Sequence, residues 1–327
     1  KKNYRSFLQN NYLTSIAKSP GKIILFGEHF VVYENRAILG AINKYATVTS
    51  EKTNTNNILI SSSLGQSSIQ KDEDVSNIEK KFRPFFYIAK QVIEKNNFDK
   101  GISIKIESEI PIGAGLGSSS ACCVAGAAAI FNLFGEISKK KILELAIEAE
   151  KTIYQNTSGA DCTVSTYGGL MEYDKNNGFR KIEDKPNFQL VIANSDIEHS
   201  TESMVSKVKE FENQNKDKFY ELSSLESKLV NDVLKLIKEN KIKEIEEKLN
   251  LNQKFLEEIG ISNEKLEDMI KIGQTSSYGA KITGSGGGGC IFALTNESNL
   301  ENTLKEFTNK KYECFATKID FKGLNTF

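Results

Sequence analysis

A glycine-rich segment that runs into three serines constrains the fold of this chain more than any other feature. It reads Pro-Ile-Gly-Ala-Gly-Leu-Gly-Ser-Ser-Ser-Ala over residues 111–121. Glycine lets a backbone turn tightly and approach a ligand, and serine caps the start of a helix. Because such a helix start presents unpaired N–H groups and a positive dipole end, the segment predicts an anion-binding site. The uncharged run 121–134 that follows predicts a buried helix.

Two common phosphate-binding motifs do not match this loop. A P-loop carries a lysine directly after its last glycine, and Gly117 is followed by serine. A dinucleotide-binding loop has the spacing G-x-G-x-x-G, whereas the glycines here alternate with single residues. A plain turn is the alternative, but the serines and the helix after them favour phosphate binding. The sequence therefore predicts a phosphate-binding loop set into the core, called the phosphate loop below (residues 111–121).

Composition argues against several classes of protein. The 327 residues suffice for two domains. Lys and Arg together number 43, as do Asp and Glu, so the net charge of zero argues against nucleic-acid or anionic-membrane partners. Five cysteines without a CxxC pair indicate a reducing compartment. No apolar stretch reaches the roughly 20 residues of a membrane helix, and residues 1–6 lack a signal-peptide core. We expect a cytoplasmic protein with no membrane and no nucleic-acid partner.

Hydrophobic patterns predict strands and helices in mixed order. Residues 101–110 alternate apolar and polar side chains, as a half-buried strand does, and they lead directly into the phosphate loop. Strand character is also found at 22–26 and 45–52. Apolar residues at helical spacing predict helices over 82–97 and 139–155.

The second half of the chain predicts a separate unit. A turn at 174–178 and the polar residues after it mark a boundary. A strand at 188–193, a charged helical region at 204–260, and a glycine loop leading into a strand at 283–294 follow. This mixture favours the α+β class over a regular βα alternation. The predicted domains are 1–185 and 186–327.

Polar residues flank the strand predicted at 22–26. A Pro-Gly turn places Lys22 at its start, and Glu28 and His29 follow a glycine at its end. Side chains at strand ends often reach a cleft. The alternative is a solvated lysine and a histidine whose ring is satisfied by a neighbour.

A carboxylate lies beside the buried stripe of the helix predicted at 139–155. Glu150 stands four residues after Ala146 and three before Ile153, both on that stripe. A carboxylate there is costly unless it is paired or binds a cation. As a ligand it would suit Mg²⁺, which prefers hard oxygen donors. The alternative is a flanking charge that reaches water.

Two further segments complete the set of candidate residues. Asp161 lies in a turn-rich segment just before an apolar stretch with strand character, and capping a turn is the alternative to a catalytic role. The four consecutive glycines at 286–289, within 283–290, suit a backbone that closes on a ligand, with a mobile hinge as the alternative. We call 283–290 the C-terminal glycine loop. Together these parts predict phosphoryl transfer, in which loops hold nucleotide phosphates, Mg²⁺ bridges oxygens, lysine neutralises charge and aspartate accepts a proton.

The chain resembles the GHMP small-molecule kinases over nearly its whole length. The three motifs of that family are present in order: Pro-Gly-Lys at 20–22 with Gly-Glu-His at 27–29, then the phosphate loop, then the C-terminal glycine loop. The resemblance implies a two-lobed fold with a ribosomal-protein-S5-like N-terminal domain and a ferredoxin-like C-terminal domain. It places the active site in the cleft between them, with ATP as co-substrate and Mg²⁺ as cofactor.

Within the family, two segments resemble the kinases whose acceptor is mevalonate. Residues 27–33 read Gly-Glu-His-Phe-Val-Val-Tyr, where galactokinases continue Gly-Glu-His with Thr-Asp-Tyr, and 158–169 is also of the mevalonate type. The resemblance implies phosphorylation of mevalonate to 5-phosphomevalonate, and it leaves a homodimer open. Another GHMP kinase acting on phosphomevalonate or a sugar is the alternative, followed by a non-catalytic nucleotide-dependent sensor.

The resemblance also implies roles for individual residues. Asp161 matches the catalytic base, and Lys22 matches the lysine that lowers the pKa of the attacking hydroxyl. Glu150 and Ser119 match the metal ligands, and the neighbouring serines stay open as substitutes for Ser119. The residues expected to approach mevalonate are Glu28, His29, Ser200 and Thr201. The residues expected to wrap the ATP phosphates are Pro111, Ile112, Gly113, Ala114, Gly115, Leu116, Gly117, Ser118, Ser119, Ser120 and Ala121.

The chain departs from the family pattern at two positions near the predicted base. Thr157 replaces the proline often found before Ser-Gly, and Ala160 replaces a larger apolar residue before the aspartate. Neither change removes a catalytic group, and both predict a reshaped acceptor pocket.

Overall fold

The computed structural model describes residues 14–135, 138–155, 157–198 and 200–327. Strands and helices are mixed along them, which confirms the predicted α+β class. The strands are β1 (Thr14–Phe26), β2 (Ala37–Lys52), β3 (Asn57–Ser62), β4 (Gly65–Gln70), β5 (Ile102–Ser108), β6 (Leu170–Asp174), β7 (Gly178–Ile182), β8 (Gln189–Asn194), β9 (Ala280–Ile282), β10 (Cys290–Thr295), β11 (Glu313–Thr317) and β12 (Asn325–Thr326). The helices are α1 (Arg83–Lys95), α2 (Ser118–Asn132), α3 (Lys139–Glu150), α4 (Ala160–Tyr167), α5 (Thr201–Gln214), α6 (Lys216–Lys238), α7 (Ile245–Glu258), α8 (Glu264–Ser276) and α9 (Glu297–Asn309).

The first sheet has eight strands in the order β12-β1-β2-β5-β3-β4, and β6 and β7 branch from β2. The long strand β2 makes this branching possible. Its first residues, 37–40, pair with β6, and its last, 46–52, pair with β5. All pairs are antiparallel except β3 with β5. The strand predicted at 101–110 is confirmed as β5, and it delivers the chain to the phosphate loop.

The uncharged helix predicted after the phosphate loop is confirmed as α2, and it is the centre of the N-terminal half. Every residue from 120 to 131 in α2 is buried. The helix packs against β1 and β2, and α1, α3 and α4 surround it. Apolar side chains on all faces are the expected pattern for a helix enclosed in this way.

The second sheet has four antiparallel strands in the order β11-β8-β10-β9. Helices α8 and α9 pack against it, and α7 packs on β9. The chain enters this sheet between the end of β7 at Ile182 and the start of β8 at Gln189. The last strand, β12, returns to the first sheet beside β1. The domain boundary at residue 185 stays a prediction.

Two local predictions are wrong. Pro20 and Gly21 do not form a turn; they lie inside β1, where the pairing register with β2 shifts between them. Such an irregularity accommodates proline, which has no N–H to donate to the ladder. The stretch after Asp161 is helix α4 instead of a strand. Its β-branched residues favour a strand, but the hydroxyls of Thr163 and Thr166 bond to the carbonyls four residues earlier.

Further predictions concern the chain as a whole. All five cysteines are free, and burial raises the pKa of the Cys123 thiol. Across the described ranges, none of the helices has the length and apolar character needed to span a bilayer. The segment judged to lack a signal-peptide core, residues 1–6, lies outside the described residues.

A glycine inside α8 provides a test of how tightly this helix packs against the second sheet. A Cβ at Gly273 would lie 2.4 Å from the Cβ of Ala280 in β9. Gly273→Ala is therefore expected to destabilise the protein by about 1–3 kcal/mol, although alanine is the better helix former. The measurement is the thermal midpoint followed by circular dichroism. Gly126→Ala in α2 is the matched control, with a nearest contact of 3.3 Å to the ring of Phe85 and a smaller expected loss. A Gly273→Ala midpoint at or above the native one would contradict this account.

Candidate active site

In the phosphate loop, residues with left-handed backbone conformation alternate with residues of ordinary negative φ. Gly113, Gly115 and Gly117 have φ of 72°, 77° and 73°, a region that side chains rarely adopt. The residues between them, Ala114 and Leu116, are buried in the core. This alternation explains the spacing of the glycines, since each apolar anchor is followed by a left-handed residue. Backbone N–H groups in such a conformation form a concave anion-binding surface.

Lys22 connects the phosphate loop to Asp161. Its Nζ donates to the carbonyl of Gly115 at 3.1 Å, and its backbone N–H donates to the carbonyl of Leu116 at 2.8 Å. The same Nζ lies 3.4 Å from Oδ2 of Asp161. The lysine is 5% exposed, so the alternative of a solvated side chain is wrong.

Asp161 lies in the first turn of α4, where the helix dipole favours a negative charge. Its side chain keeps 33% exposure, so a hydroxyl compound can reach it. The backbone at Gly117 leaves no room beside this pair. A Cβ there would lie 2.8 Å from Cγ of Lys22 and 3.5 Å from Oδ2 of Asp161. The loop, the lysine and the aspartate therefore form one contact group.

Glu150, the last residue of α3, has a buried carboxylate at the start of α2. It is 4% exposed, so the alternative of a charge reaching water is wrong. Its Oε1 accepts a hydrogen bond from the hydroxyl of Ser120, and its Oε2 accepts one from the hydroxyl of Thr157 at 2.7 Å. Burial raises the pKa of Glu150, and the two hydroxyl bonds oppose that shift.

The three serines of the phosphate loop differ in their surroundings. Ser120 is buried against Glu150, whereas Ser119 is exposed at the helix start. Ser118 is partly buried, with its hydroxyl 3.4 Å from that of Ser108. Of the three serines, the structure thus brings Ser120, and not Ser119, into contact with the candidate metal carboxylate.

The C-terminal glycine loop is bound to the end of β1. The hydroxyl of Thr283 accepts the N–H of Ile24 at 2.9 Å and donates to its carbonyl at 2.9 Å. A Cβ on Gly284 would lie 3.7 Å from the carbonyl oxygen of Gly115. The two glycine loops are therefore neighbours.

The run of four glycines is packed against two other segments of the same chain, at Ile197 and Met204. A Cβ on Gly288 would lie 2.3 Å from the carbonyl oxygen of Ile197, and one on Gly287 would lie 2.4 Å from the sulfur of Met204. Glycine is needed here because the backbone approaches other groups closely. This packing favours a fixed loop over the mobile hinge.

Two of the residues expected to approach the acceptor, His29 and Thr201, contact Ser285. The ring Nε2 of His29 is 2.9 Å from the carbonyl of Ser285, and burial lowers the pKa of His29. The hydroxyl of Thr201 is 3.4 Å from that of Ser285. Ser200 caps α5 by accepting the N–H of Ser203 at 3.3 Å. Ser200 and Thr201 are exposed, whereas His29 is buried.

Glu28 is not exposed to an acceptor site. Its side chain is fully buried and forms an ion pair with Lys281 of β9, whose side chain is also fully buried. Lys281 donates in addition to the carbonyl of Ile282 at 2.7 Å. Burial raises the pKa of Glu28 and lowers that of Lys281, and their contact opposes both shifts. Oε2 of Glu28 has no hydrogen-bond partner among the described residues.

A second buried carboxylate reaches the same region from α6. Oε1 of Glu226 accepts the N–H of Gly27 at 3.0 Å, and Oε2 accepts the amide of Asn252 in α7 at 2.6 Å. Burial raises the pKa of Glu226 to about 7, and the negative charge of Glu28 adds to the shift. The turn at 27–29 is thus attached to the second half of the chain through Glu226 and Lys281.

Sequence reasoning missed this buried network. Glu226 lies in a region read only as charged and helical, yet it falls on the buried stripe between Leu222 and Leu229. A carboxylate on such a stripe is the same signal that singled out Glu150. Lys281 begins the glycine-rich segment 281–290, and the sequence pattern predicts no role for its side chain. Thr157 differs from the family pattern, but the sequence alone does not predict its hydrogen bond to Glu150.

A polar pocket of about 410 Å³ lies elsewhere in the described part of the chain. Its glutamate, Glu172, pairs with both Arg36 and Arg180. None of the motif residues lines it, so it is not the candidate active site. The lining residues are Arg36, Glu172, Asp174, Asn177, Gly178 and Arg180.

Two family models match the chain. The model described as GHMP kinases N terminal domain matches residues 84–169, and the one described as GHMP kinases C terminal matches residues 233–314. The first match contains the phosphate loop, Glu150 and Asp161. The second contains Lys281 and the C-terminal glycine loop.

The chain is similar to proteins that are named mevalonate kinase. A mevalonate kinase of Archaeoglobus fulgidus is 38% identical over 85% of this chain and 92% of its own length. The crystal structure of the Methanococcus jannaschii mevalonate kinase superposes with a TM-score of 0.83 at 30% identity, covering 95% of this chain and 99% of that chain. An L. major mevalonate kinase in complex with R-mevalonate has a TM-score of 0.79 at 23% identity over 93% of this chain and 95% of its own, which shows a shared fold.

Glu226→Gln tests the buried network through the pH dependence of stability. The pKa of Glu226 is raised to about 7, whereas an unfolded glutamate titrates near about 4.3. The native state keeps a proton that the unfolded state has lost, so the free energy of unfolding falls as pH rises from about 4.3 to about 7 and is constant above. This group accounts for a loss of about 4 kcal/mol. Glutamine still accepts the N–H of Gly27 but does not titrate.

Thermal midpoints at about pH 5 and about pH 8 should therefore differ less in Glu226→Gln than in the native protein. Glu221→Gln, an exposed position on the same helix, is the control and should keep the native pH dependence. An unchanged difference in Glu226→Gln would show that Glu226 does not titrate in this range.

Proposed function

The chain belongs to the GHMP kinase family, and we propose that it transfers the γ-phosphoryl group of ATP to the 5-hydroxyl of mevalonate, giving 5-phosphomevalonate. The observation that carries the proposal is the position of Lys22. One ammonium contacts both the phosphate loop at Gly115 and the carboxylate of Asp161. An anion-binding surface and a proton acceptor are thus within reach of a single positive charge, as phosphoryl transfer to an alcohol requires. The relatives named mevalonate kinase support the acceptor.

The backbone of the phosphate loop is proposed to bind the ATP phosphates. The left-handed glycines orient N–H groups toward one side, and the start of α2 adds its dipole. The C-terminal glycine loop lies beside Gly115 and would close the site on that side. Ile112 is the exposed apolar side chain of the loop, at 62% exposure.

The residues at the start of α2 fit a magnesium ion. Glu150 and the hydroxyl of Ser120 offer hard oxygen donors, and Mg²⁺ usually takes only one or two protein ligands besides phosphate oxygens and water. The buried carboxylate gains from a cation because its charge is otherwise stabilised by hydrogen bonds from uncharged groups, those of Ser120, Thr157 and Cys162. When bound, Mg²⁺ would neutralise charge on the phosphate oxygens. We propose Glu150 as its carboxylate ligand, with Ser120 rather than Ser119 as the adjacent hydroxyl.

Asp161 and Lys22 are proposed to carry out the proton and charge steps. The acceptor hydroxyl donates its proton to the exposed carboxylate of Asp161 as its oxygen attacks the γ-phosphorus. The bond from the γ-phosphorus to the β–γ bridging oxygen breaks, and ADP leaves with that oxygen. The ammonium of Lys22 lowers the pKa of that hydroxyl and offsets charge on the transferred group. Its bond to the carbonyl of Gly115 keeps the ammonium at the loop throughout the step.

The acceptor is proposed to bind near Ser285. Ser200 and Thr201 are exposed there and can hydrogen-bond a polar acceptor. The buried ring of His29 holds the carbonyl of Ser285 by a hydrogen bond from Nε2. Glu28 is proposed to act through the shape of the turn at 27–29, because its carboxylate is buried against Lys281.

Two alternative functions can be recognised by the test described below. A phosphomevalonate or sugar kinase would share the fold and the phosphate loop. A non-catalytic sensor would have no need of the contact between Lys22 and Asp161, so that contact favours an enzyme.

The direct test is phosphorylation of candidate acceptors by the purified protein. With Mg-ATP, we expect ADP release with mevalonate and none above background with phosphomevalonate or galactose. Phosphorus NMR of the product should show a phosphate monoester coupled to the protons of C5. ADP release only with phosphomevalonate or galactose would replace the proposed acceptor, and no release with any of the three would favour the sensor.

Asp161→Asn tests the proposed base. The variant should keep nucleotide affinity, because the loop is unchanged, and should lose about 10²–10⁴-fold in kcat. Asp217→Asn, an exposed aspartate in the first turn of α6, is the matched control and should keep native turnover. Near-native turnover by Asp161→Asn would exclude it as the base.

A further inference from the structure

The hydroxyl of Thr157 makes two hydrogen bonds that join the two candidate catalytic carboxylates. It donates to Oε2 of Glu150 at 2.7 Å and accepts the N–H of Gly159 at 3.2 Å. Gly159 is the N-cap residue that immediately precedes α4, and Asp161 lies in the first turn of that helix. One threonine side chain therefore ties the end of α3 to the start of α4.

The two oxygens of Glu150 are bonded to hydroxyls from different elements. Ser120 of α2 contacts Oε1, and Thr157, from the connection between α3 and α4, contacts Oε2. Two bonds on two different oxygens prevent rotation of the carboxylate about its last side-chain bond. Of the two hydroxyl bonds, only the one from Thr157 holds Oε2. The orientation of the group therefore depends on Thr157 as much as on Ser120.

We propose that Thr157 is a positioning residue that holds the Glu150 carboxylate in the orientation that receives the metal ion of the metal–nucleotide complex. The proposal rests on the function proposed above, in which Glu150 is the carboxylate ligand. Groups that orient a ligand in this way commonly change metal affinity about 10–100-fold when they are removed. Thr157 stands where proline is often found in sequences of this type, and proline has no hydroxyl with which to make the bond.

The hydroxyl can be removed without changing the shape of the side chain. Thr157→Val replaces it by a methyl group, and Thr157→Ser keeps it while removing the methyl. Thr157 is partly exposed, so the valine variant should fold, and Thr157→Ala provides a second variant without the hydroxyl. Thr152→Val is the matched control, because the hydroxyl of Thr152 bonds only to the carbonyl of Ala149, at 2.6 Å.

The main measurement is binding of Mn²⁺ to the protein with a non-hydrolysable ATP analogue, followed by the EPR signal of the free ion. No acceptor is present, so the result does not depend on which alcohol the enzyme phosphorylates. We expect Thr157→Val and Thr157→Ala to raise the Mn²⁺ dissociation constant by about 10-fold or more. Thr157→Ser and Thr152→Val should stay within about twofold of the native value, a change too small to reflect loss of a ligand-orienting group.

Kinetics give an independent readout. At saturating ATP and mevalonate, Thr157→Val should require a higher Mg²⁺ concentration for half-maximal rate, while kcat at saturating Mg²⁺ changes much less. A purely structural role would lower the thermal midpoint and leave the Mn²⁺ affinity of the folded protein unchanged.

The outcomes separate this inference from the function on which it rests. Native Mn²⁺ affinity in Thr157→Val, with weakened affinity in Glu150→Gln, would overturn the role of Thr157 and leave Glu150 as the ligand. Equal weakening in Thr157→Ser and Thr157→Val would overturn it as well, since the hydroxyl would not be the cause. Native affinity in Glu150→Gln would overturn both the ligand assignment and the role of Thr157.

Discussion

The buried ion pair between Glu28 and Lys281 is the interaction on which the assembly of the site depends. Two fully buried charges of opposite sign are tolerated only when they contact each other directly. The turn after β1, which carries Glu28, and strand β9, which carries Lys281, must therefore meet at one distance and in one orientation. The bonds of Thr283 to Ile24 and of His29 to Ser285 follow from that alignment. The C-terminal glycine loop is thereby brought beside the phosphate loop, although the two are far apart in sequence.

The phosphate loop and the charged side chains have different tasks. The loop offers backbone groups, which carry no net charge and cannot be titrated. Lys22, Glu150 and Asp161 supply charge from three separate elements: Lys22 contacts the loop, Glu150 contacts the helix that follows it, and Asp161 contacts Lys22. The loop backbone and these side chains can be altered separately, so their roles in binding and in transfer can be tested apart.

Much of this arrangement could be predicted from the sequence, because the decisive signals are local. Alternating glycines, an uncharged helix and a carboxylate beside an apolar stripe each have one clear physical reading. The strand expected after Asp161 is wrong because burial of this segment in the helical arrangement outweighs the strand preference of Thr163 and Thr166, whose hydroxyls bond to backbone carbonyls of the same helix turn. The partners of Glu28 could not be predicted, because Lys281 and Glu226 come from distant elements and meet it only in the folded chain. The choice between Ser119 and Ser120 depended on helix rotation, which the sequence does not specify.

The alternating hand of the phosphate loop has a consequence for how such a site diversifies. At Gly113, Gly115 and Gly117 the backbone adopts a conformation that is costly for any residue with a side chain. Substitution of these three glycines is therefore disfavoured. A change of acceptor must therefore accumulate in the residues around the loop, such as those near Ser285 and in the segment before Asp161. Backbone geometry thus restricts substitution in the segment that is proposed to bind the ATP phosphates. Exposed side chains that are proposed to contact the acceptor, such as those of Ser200 and Thr201, have no such backbone requirement.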